Sequence, residues 1–141
     1  MIVTPITFDR VVDYWRHVDH FLVKAISHGQ QEFDVYDVLA ECIRGNWLLW
    51  TIRSEEELLQ AAAVTQVVQY HKSRKVRIIL LGGFGMKDWL GEFIEELDKY
   101  AKNMGCDQIE AFGRKGWVKA SKHLGFKEAY TQVVKEVNNN G

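Results

Sequence analysis

The sequence predicts an α/β (α+β, mixed-sheet) fold, an antiparallel meander followed by helix, strand, helix and strand. Three observations carry this. The first third repeats apolar residues at three- and four-residue steps, the period of a helix with one buried face. The middle third switches to runs rich in aromatic and β-branched residues, which suit strands. A sharply two-faced helix then follows a cluster of glycines. With 141 residues, 47% hydrophobic and 26% charged, the chain can bury one core, read as a single domain over 1–137 with a polar tail at 138–141.

Ile2 to Ile6 reads as a short edge strand, where Pro5 is tolerated because it need not donate to a neighbour. Phe8, Val11, Val12, Trp15, Val18, Leu22, Ala25 and Ile26 form the stripe of a first helix, with Thr7 to cap it and Gly29 to close it. Asp34 caps a second helix through Ile43, ending at Gly45. Asn46–Arg53, Leu58–Tyr70 and Val76–Leu81 are the meander, separated by the polar turns at 54–57 and 71–75. The nearly unbroken apolar character of Val76–Leu81 implies cover on both faces. Leu90, Phe93, Ile94, Leu97, Tyr100, Ala101 and Met104 are the stripe of the main helix, with Asp88 as expected N-cap and Gly105 as its end. A strand at Gln108–Phe112, a helix at Trp117–Leu124 closed by Gly125, and a strand at Phe126–Val137 complete the order.

Composition narrows the classes. A net charge of −1 argues against a dedicated nucleic-acid binder, and no apolar run is long enough to span a membrane. Cys42 and Cys106 form neither a disulfide framework nor a zinc pattern, and no signal-like start is present, so a cytoplasmic protein is expected. Eleven glycines against one proline mean that glycine makes the turns, and three of them crowd into Gly82-Gly83-Phe84-Gly85.

Tyr100–Glu110 (YAKNMGCDQIE) and Trp117–Glu128 (WVKASKHLGFKE), set in this order of elements, resemble the GNAT superfamily of N-acetyltransferases. The first is similar to the end of that family's central helix and the strand after it, the second to its last helix and closing Gly-Phe. The likeness covers nearly the whole chain, and the chain also looks somewhat like small acetyltransferase-like proteins of tailed phages. The resemblance implies acetyl-CoA as cofactor and an amine, on a small molecule or a protein, as acceptor. Leu80-Leu81-Gly82-Gly83-Phe84-Gly85 matches the family's Gln/Arg-x-x-Gly-x-Gly/Ala turn at Gly83 and Gly85, with Leu80 in place of Gln or Arg. By that likeness the backbone of this turn and the helix end near Asp88 and Trp89 would cradle the pyrophosphate, and a V-shaped opening would hold the pantetheine.

Elementary physics supports an anion at such a place, since a helix N-terminus offers unpaired N–H donors and a positive end. Asp88 as N-cap would compete for those donors and repel a diphosphate. On the residues alone, the cluster is equally a glycine turn before a capped helix.

Attack of an amine on a thioester calls for a base and, for the departing thiolate, an acid. The position that the family commonly fills with an acidic Tyr is Ser121 here, and Val76–Leu81 carries no carboxylate. His71, at a strand end, titrates in a useful range but reads equally as an exposed turn residue, and Tyr130 could reach from the last strand. Asp13, His17 and His20 share a helix face opposite the apolar stripe and read as solvated rather than metal-binding. Two basic clusters, Arg114-Lys115 with Lys119 and Lys122, and Lys72-Arg74-Lys75 with Arg77, read as solvated turns and faces. Two functions follow: an acetyl-CoA-dependent N-acetyltransferase, or a GNAT-like module without CoA chemistry that serves interaction or assembly, for example in a phage-infected host or particle. An exposed last strand would offer a second copy an edge for a homodimer.

Overall fold

The computed structural model describes residues 1–29, 32–113, 119 and 121–137. In chain order these form β1 (Ile2–Ile6), α1 (Val11–Ser27), α2 (Val35–Ile43), β2 (Leu48–Arg53), β3 (Leu59–Gln69), β4 (Arg74–Gly83), α3 (Met86–Asn103) and β5 (Gln108–Ala111). One-turn 3-10 segments lie at Phe8–Arg10 and Lys122–Leu124. The five strands make one sheet in sequential order, antiparallel from β1 to β4 and parallel between β4 and β5. The parallel step needs a crossover, which α3 supplies.

Two apolar layers sandwich the sheet. On one face α1 and α2 bury Val11, Val18, Leu22, Val38 and Cys42 against Leu49, Ala62, Val64 and Leu80. On the other, Trp89, Phe93, Ile94 and Leu97 of α3 pack on Trp50, Ile52, Val76 and Ile78. Each large side chain removed from water in these layers contributes about 1.5–3 kcal/mol. Trp50 is buried with its indole N–H satisfied, donating to Thr65 Oγ1 at 2.9 Å. Alternate residues of β2 and β3 serve opposite layers, which explains why both strands read as nearly continuous apolar runs.

The helix signals behave unevenly. Asp34 does cap α2: its carboxylate accepts from the N–H groups of Tyr36 and Asp37, while Asp37 accepts from the N–H of Asp34. Thr7 makes no side-chain cap, and Phe8 and Val12 lie exposed outside the stripe. The expected cap at Asp88 is corrected. Gly85, at φ +63°, precedes α3 directly, and Asp88 sits inside the first turn with its N–H donating to the Gly85 carbonyl at 2.8 Å. An αL residue at that point ends β4 and starts the helix without a longer turn.

A second correction concerns the last strand. Phe126–Val137 carries no strand, and Tyr130, Val133, Val134 and Val137 are exposed. Their spacing gives the reason: in a strand Tyr130 and Val134 would fall on one face and Val133 and Val137 on the other, so no single face collects the apolar residues. β5 therefore forms the sheet edge among the described residues. Of the expected last helix, Lys119 and Ser121 are helical, while Trp117, Val118 and Ala120 lie outside the described residues, as do Arg114, Lys115 and the tail at 138–141. Among the described residues no helix is long and apolar enough to cross a membrane, and no cluster of potential metal ligands occurs.

Candidate functional site

The glycine cluster divides into two kinds of position. Gly82 and Gly83 lie in β4, paired with Ala62 and Ala61. A Cβ on Gly82 would meet the Phe21 carbonyl oxygen at 2.5 Å, and one on Gly83 would meet Ala61 Cβ at 2.3 Å and the Gln60 oxygen at 2.4 Å. These two glycines let α1 and β3 approach β4, so their small size serves packing. Leu80 is buried against α1 and α2, and Leu81 packs partly on the α3 side.

Gly85 lies exposed beyond β4, outside the sheet. Its N–H and those of Met86 and Lys87 take no acceptor among the described residues, at the positive end of an 18-residue helix. Phe84 gives its N–H to the Gln60 carbonyl at 2.8 Å and rests its exposed ring edge-on to Phe21, 5.5 Å between centroids. Trp89 is wholly buried and donates its indole N–H to the Phe84 carbonyl at 2.7 Å, so it anchors the turn from beneath. Asp88 is exposed, and a Cβ on Gly85 would stand 3.2 Å from one of its carboxylate oxygens. The helix end thus offers N–H donors with a carboxylate at its rim.

β4 and β5 separate next to this turn. Their pairing runs from Lys75↔Gln108 to Ile78↔Ala111 and stops, while β4 continues to Gly83. A register shift against β3 falls in the same stretch, so Val64 faces Leu80 and Thr65 faces Ile78. The bulge turns β4 as it leaves β5, so among the described residues the strand beyond Ile78 pairs only on its β3 side. The result is a split that leads to the N-terminus of α3.

Of the proposed acid and base residues, His71 does not stand at this split. His71 is exposed in the β3–β4 hairpin, roughly 30 Å from Gly83 along β4 at about 3.3 Å per residue. Ser121 is fully buried and Tyr130 is 68% exposed.

Instead, a cluster unforeseen from the sequence stands at the base of the split. Glu110 on β5 faces Arg77 on β4, with Arg77 Nε 3.0 Å from Glu110 Oε1. The Tyr70 hydroxyl donates to the same oxygen at 2.6 Å and accepts from Arg77 at 2.8 Å. The hydrogen bond to Glu110 is the main reason why Tyr70 holds its proton beyond the usual phenol range; burial adds to it and Arg77 opposes it. Arg77 also lies over the Phe112 ring, and Lys75 over the Tyr70 ring. The basic cluster around residue 74 is therefore split, with Arg77 and Lys75 engaged here and Arg74 on the α3 side. The signal for the pair was Glu110 one strand away in a parallel register, which spacing along the chain does not reveal.

A five-stranded mixed sheet, α1 and α2 on one face and a crossover helix on the other, is the architecture of the GNAT-type N-acetyltransferases. A probable acetyltransferase of known structure matches with a TM-score of 0.73 at 9% identity, covering 99% of this chain and 100% of the other. A ribosomal-protein-alanine N-acetyltransferase from Brucella melitensis matches at 0.71 and 8% identity, covering 97% and 100%. The glucosamine-6-phosphate N-acetyltransferase of Arabidopsis thaliana matches at 0.65 and 14%, covering 97% and 98%. No protein-family model matches the chain, and no curated protein matches it in sequence. At these identities the likeness is one of fold.

Proposed function

We propose that the protein is an acetyl-CoA-dependent N-acetyltransferase, transferring an acetyl group to an amine. The observation that carries this reading is the split between β4 and β5 beyond Ile78↔Ala111, which runs to the unclaimed N–H groups of Gly85, Met86 and Lys87. Those donors fit a diphosphate, and the Lys87 charge adds to the helix end. Acetyl-CoA, when bound, supplies an activated thioester. The chain supplies position: β4 beyond Ile78 lies open to an extended arm, and the turn fixes one end of it. Glu110, one residue before the split and oriented by Arg77 and Tyr70, is the carboxylate placed to take a proton from an acceptor amine.

A second reading rests on Asp88 and on the distance of His71 from the split. A carboxylate at the rim of the helix end opposes a diphosphate, and a module without CoA chemistry would tolerate it. Calorimetric titration and thermal shift with acetyl-CoA and CoA separate the two. At about 1 mM ligand the enzyme reading expects a clear rise in melting temperature. It also expects that Gly85→Glu, checked for folding by circular dichroism, abolishes the rise. No rise in the unaltered protein overturns the enzyme reading and leaves the interaction module.

A further inference from the structure

The opposite end of β4 borders a different opening. Thr65 and Val67 of β3, Arg74 at the start of β4, Tyr100 and Met104 at the end of α3, and Trp47 before β2 line a half-open cavity of about 330 Å³. That is the size at which small-molecule pockets begin, at about 300 Å³. It lies on the α3 side of the sheet and at the far end of β4 from Gly85.

The cationic and hydroxyl groups in this cavity are donors, and the amides of Asn46 and Gln69, which also line it, spend their N–H groups on Glu41 and on the carbonyls of Tyr70 and Ser73. Arg74 has no carboxylate partner among the described residues, and its buried Nε finds no acceptor. A guanidinium N–H left this way carries an uncompensated desolvation cost, which an anionic ligand would remove. The Tyr100 hydroxyl makes no hydrogen bond among the described residues. Burial holds Tyr100 above the usual phenol range, so it keeps its proton to donate. Thr65 Oγ1 accepts from Trp50 and keeps its own hydrogen free. No Asp or Glu lines the cavity.

Two nearby negative groups are already engaged. Asp107 grips the backbone of Arg74, accepting from its N–H at 3.1 Å and donating its own N–H to the Arg74 carbonyl at 2.7 Å. The last carbonyls of α3, those of Tyr100, Ala101 and Lys102, accept from Met104, Cys106 and Gly105. The negative helix end is thus satisfied within the chain and does not neutralise Arg74.

We propose that this cavity binds a small organic monocarboxylate, its carboxylate held by Arg74 and the Tyr100 hydroxyl and its apolar body seated between Trp47, Val67 and Met104. The site is independent of the split beside Gly85. Phenylacetate, with phenylacetamide as its uncharged isostere, is a suitable probe pair. In 1H–15N spectra phenylacetate should shift the Trp47 indole and Arg74 Nε signals saturably at about millimolar concentration, and phenylacetamide should bind at least about tenfold more weakly. Arg74→Gln should remove the difference between the two probes. Tyr100→Phe, which keeps the ring against Trp50, should weaken phenylacetate about tenfold and leave phenylacetamide unchanged. Equal shifts from both probes, no saturable shift, or unaltered phenylacetate binding by a folded Tyr100→Phe protein would overturn the assignment.

Discussion

The indole N–H of Trp89 donates to the carbonyl of Phe84 at 2.7 Å, joining the first turn of α3 to the residue just past β4. Trp89 is fully buried while Phe84 is exposed, so a core side chain holds a surface turn in place. The N–H groups beside it are kept pointing outward by this anchor as much as by the glycines.

Trp89→Phe tests the anchor. The substitution keeps an aromatic ring but removes the donor and leaves a void, costing about 2–3 kcal/mol from the lost bond and incomplete packing together. Urea denaturation should show this loss. Amide exchange should quicken at Gly85, Met86 and Lys87 more than in the middle of α3.

The glycines should separate by cause. At Gly83 an added Cβ collides with the backbone and side chain of β3, so Gly83→Ala should cost more than about 3 kcal/mol and disturb the β3–β4 pairing. At Gly85 a Cβ would press only on the exposed, rotatable Asp88 carboxylate at 3.2 Å, so the left-handed backbone, φ +63°, is the main opposition, for about 1–2 kcal/mol. Gly105, with the same kind of φ and nothing within 4 Å, should behave like Gly85. Denaturation curves giving Gly85→Ala the larger loss would contradict the division of the cluster into packing and turn positions.

The same division shows what was legible in the sequence. The helices and the antiparallel meander follow from period alone, because burial on one face imposes it. The cap at Asp34 was readable because the N–H groups it accepts from lie within one turn, though its reciprocal partner Asp37 was not foreseen. Gly82 and Gly83 announced themselves but not their reason, since the atoms they make room for, in Phe21, Gln60 and Ala61, are remote in the chain. Asp88 was misplaced as a cap because a positive-φ Gly85 can start a helix with no side-chain cap at all. The pairing of Glu110 with Arg77 was hidden for a related reason: a parallel register is set by the length of α3 and its turns, and no local pattern encodes it.

Tyr70 and Glu110 predict a specific titration. Tyr70 should ionise above the ordinary tyrosine value of about 10, and the difference in 295 nm absorbance between the unaltered protein and Tyr70→Phe isolates it. Glu110→Gln removes the largest cause of the shift while Arg77 remains, so the Tyr70 value should fall. Because the folded value lies above the unfolded one, the native state retains this proton longer. Its contribution to stability is complete below about pH 10 and is lost as pH rises through the folded value. An unchanged Tyr70 titration in Glu110→Gln would mean that the hydrogen bond does not form in solution.

Cys42 and Cys106 should differ sharply in reactivity. Cys42 is fully buried between α1 and α2, and burial, with a smaller effect from Glu41, pushes its thiol up to about 12. Cys106 is partly exposed just beyond α3. At pH 8 a thiol-disulfide reagent should therefore label Cys106 promptly and Cys42 only on unfolding, since attack requires an accessible thiolate. The raised value has a second consequence, of the same sign as that of Tyr70 and at lower pH. The unfolded thiol loses its proton near pH 9 while the native one holds it to about 12, so stability from this site is full below pH 9 and declines above it. Cys42→Ala removes that decline but leaves a void between α1 and α2, costing about 1–2 kcal/mol at neutral pH. Melting temperatures at pH 7 and pH 10 should thus converge between the two proteins as pH rises; a constant gap would show that Cys42 ionises as readily in the folded chain as in the unfolded one.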